Sequence, residues 1–183
     1  MNEERSGKNA VAEFDISLIE QVLAGDSEAF TRLVQSYSAY VYRTAFAFLH
    51  NESEAEDASQ EIFLKVYRSI HGLKDVHLFP AWFKKVITSV CLDRIKTRKL
   101  DTVPDSEIES MIPSLPNPWD RRLELQEALN RLNLEEREII LLVDWQGYNY
   151  QEIATILKIP LGTVKSRIHA ARLHLKRILL DDV

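Results

Sequence analysis

Three stretches of the chain gather side chains that could act on another macromolecule. The first begins at Phe79, where Phe79, Trp82 and Phe83 stand beside Lys84 and Lys85. From Lys84 to Lys99 there are six basic residues (Lys84, Lys85, Arg94, Lys96, Arg98, Lys99) and one acidic residue, Asp93. Aromatic faces stack on unpaired bases, and Lys and Arg neutralise phosphates. A core Trp followed by a basic helix end, where cations suit the helix dipole, reads equally well. The second stretch runs from Lys158 to Arg177, with six basic residues and no acidic one. A short amphipathic segment, Tyr150 to Leu157, a turn at Lys158-Ile159-Pro160 and a second helix give helix-turn-helix spacing. Thr163, Lys165, Ser166 and Arg167 on the first turns of that second helix, flanked by His169 and Arg172, suit a major groove. An ordinary αα-hairpin with a basic surface is the alternative. Its buried stripe is expected to be Leu161, Val164, Ile168, Leu175 and Leu179.

The third stretch is Glu54 to Ile70. At 100° per residue, Ala55, Ala58, Ile62, Phe63, Val66 and Ile70 share one face. Asp57, Gln60, Glu61, Leu64 and Arg68 share the other. A Leu amid acids and an amide is more than solubility requires, although periodicity alone favours a solvated face. Carboxylate-metal chemistry is disfavoured. Bundle sites of that kind use Glu-x-x-His, and none of His50, His71, His77, His169 and His174 has Glu three residues before it. The single cysteine, Cys91, closes no internal disulfide and makes no CxxC pair. It lies in an apolar stretch and is expected to be a buried core thiol. No metal, cofactor or catalytic group is expected.

The elements that must position these residues are helices. The chain has 183 residues, 45% of them hydrophobic, with only five Gly and six Pro, which favours helices over a turn-rich β protein. The formal net charge of −5 argues, taken whole, against a nucleic-acid binder. Divided, it argues otherwise. Residues 101–120 hold four of the six prolines and five acids without a Lys or Arg, whereas residues 1–100 sum to −1 and 121–183 to +1. Two nearly neutral units flanking an acidic, Pro-rich linker follow from this. The expected division is a disordered tail over 1–14, a helical unit over 15–100, a flexible linker over 101–120 and a second helical unit over 121–183. Helices are expected from Ile16, after a break and N-cap at Gly25-Asp26-Ser27, over Tyr40–Leu49, over Glu54–Ile70 and over Phe79–Lys99. The polar start lacks the apolar segment of a signal peptide, and no run approaches the roughly 18 residues of a membrane span. A cytoplasmic protein without direct membrane insertion is expected.

Taken together, the motifs resemble a known family. Gly25-Asp26-x-x-Ala29-Phe30, Ala55-Glu56-Asp57-Ala58-Ser59-Gln60-Glu61-x-Phe63, Phe79-x-x-Trp82-Phe83 and Asp93-Arg94-x-Lys96 are similar to region two of bacterial sigma factors. Tyr150-x-Glu152-Ile153-Ala154 and Ile159-Pro160-x-Gly162-Thr163-Val164-Lys165-Ser166-Arg167 are similar to region four. The short linker, without a third domain, resembles the extracytoplasmic-function group. The resemblance covers about Ile16 to Leu179 and implies an all-α protein of two small domains, a region-two bundle and a region-four helix-turn-helix. It implies a non-enzymatic factor that binds core RNA polymerase, through its largest and second-largest subunits, and directs it to promoter DNA. Asp57, Gln60, Glu61, Leu64 and Arg68 would dock on polymerase. Lys74, Phe79, Trp82, Lys84, Lys85, Ser89, Arg94, Lys96 and Arg98 would serve the minus-ten element and DNA opening, with a loop over 72–79 capturing an unstacked base. Thr163, Lys165, Ser166, Arg167, His169 and Arg172 would read the minus-thirty-five element. An anti-sigma factor, which can hold such a protein near the membrane in a stress or envelope-signal response, is the other implied partner; no small-molecule substrate is.

The sequence departs from the family pattern at Ser89, often Asn, at Ile87, commonly Ala, and at Phe83, usually Leu; Tyr148-Asn149-Tyr150 is also unusual before Gln151-Glu152. No minus-ten sequence is carried over, because Ser89 lies near that surface. The acidic linker is consistent either with mimicry of a phosphate backbone or with a plain spacer. A free-standing regulator with the same C-terminal motif would need an α/β sensor half, which the helical residues 1–100 do not suggest.

Overall fold

The computed structural model describes residues 14–101, 125 and 127–181. The expected N-terminal tail, apart from Phe14, and the acidic linker, apart from the backbone of Asp101, lie outside the described residues. Contacts divide the chain into two compact units, Met1–Asp93 and Arg94–Val183. Among the described residues all regular structure is helical, with no strand.

The first unit is a helical bundle whose breaks are set by single residues. Helix α1 (Ile16–Leu23) starts at Asp15, whose Oδ1 accepts from the Leu18 N–H at 3.1 Å. Gly25, at φ +91°, turns the chain in a conformation L side chains rarely adopt. Asp26 Oδ1 then accepts from the N–H groups of Glu28 and Ala29 at 2.9 and 3.1 Å and opens α2 (Ser27–Leu49). Tyr40–Leu49 is therefore not a separate helix. Nothing between Ser36 and Tyr40 breaks the backbone, and Ser38 merely returns its hydroxyl to the Gln35 carbonyl. His50, at φ 54°, ends α2, and Asn51 caps α3 (Glu52–Ser69) by accepting from the Glu54 N–H at 2.9 Å. Two 3₁₀ turns, Ile70–Gly72 and Val76–Leu78, lead into α4 (Phe79–Asp101).

These helices meet in an apolar core. Ile19, Leu33, Val41, Phe48, Ile62, Phe83 and Ile87 are all essentially inaccessible, and the burial of each large side chain is worth about 1.5–3 kcal/mol. Cys91 is buried in the same unit, as expected.

In the second unit, residues 127–130 are helical and Asn133 opens α5 (Leu134–Ile140) with a capping box completed by Glu136. The helix widens into a π turn over Leu141–Trp145, with the Gln146 N–H reaching the Leu141 carbonyl at 2.8 Å. Gly147, at φ +65°, turns the chain into α6 (Tyr150–Leu157). Lys158 ends α6 at φ 55°, a left-handed position that costs a non-Gly residue about 1–3 kcal/mol. Pro160 cannot extend α6, and its carbonyl accepts from the Val164 N–H at 3.1 Å in the first turn of α7 (Leu161–Asp181). No helix among the described residues is long and apolar enough to cross a membrane.

Candidate macromolecular interfaces

Helix α3 separates its two faces as the wheel requires. Ala55, Ala58, Ile62 and Val66, with Ile70 just beyond, have no accessible surface. Phe63 is only half-buried, its ring 6.5 Å from that of Phe83. Asp57, Gln60, Glu61, Leu64 and Arg68 are all exposed, Leu64 at 55%. The structure adds Tyr67, 56% exposed, its ring set edge-on against Phe30 at 5.0 Å. Tyr67 is not among the residues expected on that face, yet it lies at i+3 from Leu64 and i+7 from Gln60, a spacing that places it there. A large aliphatic and a large aromatic side chain, side by side and more than half exposed among acids and an amide, have the anatomy of an interface awaiting a partner.

The start of α4 corrects one expectation. Phe79 has no accessible surface. Its ring stacks on Phe83 at 5.2 Å and meets Phe14 edge-on at 5.6 Å, in a cluster that continues to Tyr37. A ring so enclosed has no face for an unpaired base; it packs beside Trp82, half-buried with its centroid 5.8 Å away. Lys74 is exposed between the two 3₁₀ turns, the second of which Asp75 caps by accepting from the His77 N–H at 2.9 Å. Lys85 and Lys96 are exposed, while Lys84, Ser89, Arg94 and Arg98 are half-buried. Positions 85, 89 and 96 share one side of α4 at helical spacing. Lys65 joins them from α3, its Nζ donating to Ser89 Oγ at 3.0 Å. That cation belongs to the same basic face, and nothing in the local spacing signals it.

In the second unit, α7 packs Val164, Ile168, Ala171 and Ile178 inward, with Leu161 and Leu175 half-buried. Leu179 departs from expectation: it is 36% exposed, and Ile178 takes the inner place. The stripe steps by four and three residues (164, 168, 171, 175, 178), which turns the next position outward. Lys165, Ser166, His169 and Arg172 are exposed, and Thr163 and Arg167 are half-buried.

Two of the basic residues on α7 are already engaged. Arg172 forks onto Asp144 of the π turn at 2.6 and 3.2 Å, and this pairing, chiefly its hydrogen bonding, holds the guanidinium charge more firmly than usual. Arg167 Nη2 lies 3.2 Å from Glu135 Oε2. On the same flank, His174 Nδ1 meets Glu136 Oε2 at 2.8 Å. Among the described residues, no group of three His, Cys, Asp or Glu side chains could hold a metal ion.

Comparison with known proteins matches two stretches of the chain, the first running past the Asp93 boundary of the first unit. The family profile for sigma-70 region 2 matches residues 33–100, and that for sigma-70 region 4 matches residues 122–175. The chain is 34% identical over 178 residues to the ECF RNA polymerase sigma factor SigW of Bacillus subtilis, covering 89% of this chain and 95% of that one. It is 35% identical over 156 residues to the ECF RNA polymerase sigma factor SigE of Mycolicibacterium smegmatis, covering 80% of this chain and 60% of that relative. Among solved structures, CnrH in complex with the cytosolic domain of CnrY superposes with a TM-score of 0.57 at 23% identity, over 92% of this chain and 99% of that one. The sigma factor RpoE of Bartonella quintana, solved with the anti-sigma factor NepR, gives 0.56 at 21% identity, over 84% and 98%. At those identities the likeness is one of fold.

Proposed function

The chain belongs to the extracytoplasmic-function sigma factors of the sigma-70 family, and from that premise we propose that it binds core RNA polymerase, directs it to particular promoters and promotes DNA opening. Such a factor is not an enzyme. The observation that carries the reading is the pairing, in one chain, of an exposed apolar-acidic helix face with a helix-turn-helix whose second helix is basic. Asp57, Gln60, Glu61, Leu64 and Arg68, with Tyr67 added, dock on the clamp helices of the largest polymerase subunit. Leu64 and Tyr67 supply the apolar centre, and the charged and amide groups form the rim.

Trp82, Lys84, Lys85, Ser89, Arg94, Lys96 and Arg98, with Lys74 ahead of them, face the minus-ten element. Phe79 serves that face from the core. Thr163, Lys165, Ser166, Arg167, His169 and Arg172 face the minus-thirty-five element. Because Asp144 already occupies two of the Arg172 donors, Arg172 is assigned to phosphate and Arg167 to a base edge. The assignment of 15–100 and 121–183 to these two tasks is part of the proposal, as are a cytoplasmic location and control by an anti-sigma factor.

The test separates polymerase binding from DNA reading. Asp57→Ala combined with Gln60→Ala is expected to weaken binding to core polymerase at least several-fold, measured with a fluorescent label on the full chain. Binding of the residual complex to the upstream element should be unaltered. Equal loss of both activities would remove the assignment of α3 to polymerase.

A further inference from the structure

The residue assigned to the upstream element is tethered inside its own unit. Arg167 is 38% exposed and Glu135 54% exposed, so their contact at 3.2 Å stands at the surface rather than in the core. Glu135 is not needed to start α5, because the capping box there is completed by Glu136. It is also the acid placed against the one α7 arginine that is assigned to a base edge. Its remaining tasks are electrostatic: it sits in the first turn of α5, where an acid suits the helix dipole, and it faces Arg167.

We propose that Glu135 is a positioning residue that competes with DNA for Arg167 and so sets how weakly the chain holds DNA when polymerase is absent. The inference rests on the reading of α7 as the upstream-element helix. Any duplex brought to α7 must draw Arg167 from a carboxylate and must bring its phosphates toward that carboxylate. In a non-specific complex Arg167 meets phosphate rather than a base edge, so both costs are the same for every sequence and Glu135 lowers affinity for DNA at large. A half-exposed pair is weak, which limits the effect to about two- to five-fold. The charge signature is sharper. With Glu135 present, the Arg167 charge is already balanced; with it removed, one more phosphate-bound counterion is released, steepening the salt dependence by about 0.9.

The test uses the full chain and a fluorescent duplex of random sequence, titrated at several salt concentrations. Glu135→Gln is expected to tighten binding about two- to five-fold at low salt and to steepen the log–log salt slope by about 0.9. The gain should shrink when Arg167→Ala is added, and the Glu135→Gln holoenzyme should keep its ratio of promoter to scrambled-upstream binding. Glu135→Ala must agree, which guards against a folding defect peculiar to one variant. Unchanged or weaker binding overturns the inference, as does a gain as large without Arg167 as with it. If the wild-type holoenzyme shows no preference for any upstream element, the reading of α7 falls and takes this inference with it; a preference that stands while Glu135→Gln does nothing overturns the inference alone.

Discussion

Arg167 matters most at the residue scale, because it is both the proposed base reader on α7 and the partner of Glu135. Arg167→Ala should cost about 1–3 kcal/mol at the base pair it contacts, through the loss of one bidentate contact. The loss should appear as relaxed preference at one or two upstream positions, measured by competition between holoenzyme-bound promoter variants, with core-polymerase affinity intact. A uniform loss across all sequences would reassign Arg167 to phosphate. The exposed sets on α3 and α7 were legible in the sequence because helical spacing alone decides which side chains face outward. Phe79 was not. An aromatic beside lysines can serve a base or a core, and the choice is made by Phe14, Tyr37 and Phe83, which reach its surroundings from distant parts of the chain. Lys65 and Glu135 escaped for the same reason: each acquires its meaning from a partner on another helix.

At the scale of elements, the helix starts carry local codes that read directly. Asp26 opens α2 and Asn149 opens α6. The capping box at Asn149 also accounts for the unusual Tyr148-Asn149-Tyr150: Asn149 Oδ1 accepts from the Glu152 N–H at 2.9 Å, and the Glu152 carboxylate accepts from the Asn149 N–H at 2.7 Å. Asn149→Ala should therefore lower stability by about 0.5–2 kcal/mol, read as an earlier urea midpoint with an unchanged slope, and Asn149→Asp should recover most of it. A midpoint unmoved by Ala would show that the box does not hold α6. Two features of the elements gave no signal. The π turn at Leu141–Trp145 follows an ordinary apolar run, yet it carries the Asp144 that holds Arg172. The continuity of α2 through Tyr40 was also hidden, since serines that suggest a break can instead bond back to the preceding turn.

At the scale of the whole molecule, charge distribution and partner choice belong together. The total of −5 equals the charge of residues 101–120, leaving −1 and +1 for the sequence on either side. A chain so balanced has little general attraction for DNA, and Glu135 restrains what attraction α7 supplies. On the proposed reading, specific binding comes from presenting the two helices assigned to DNA together on polymerase, where two modest contacts act in one complex. The most direct measurement is transcription by core polymerase reconstituted with the full chain on a genomic promoter library. The account predicts initiation at a small set of promoters sharing an upstream and a minus-ten element, absent with core polymerase alone. No stimulated initiation at any promoter would contradict it.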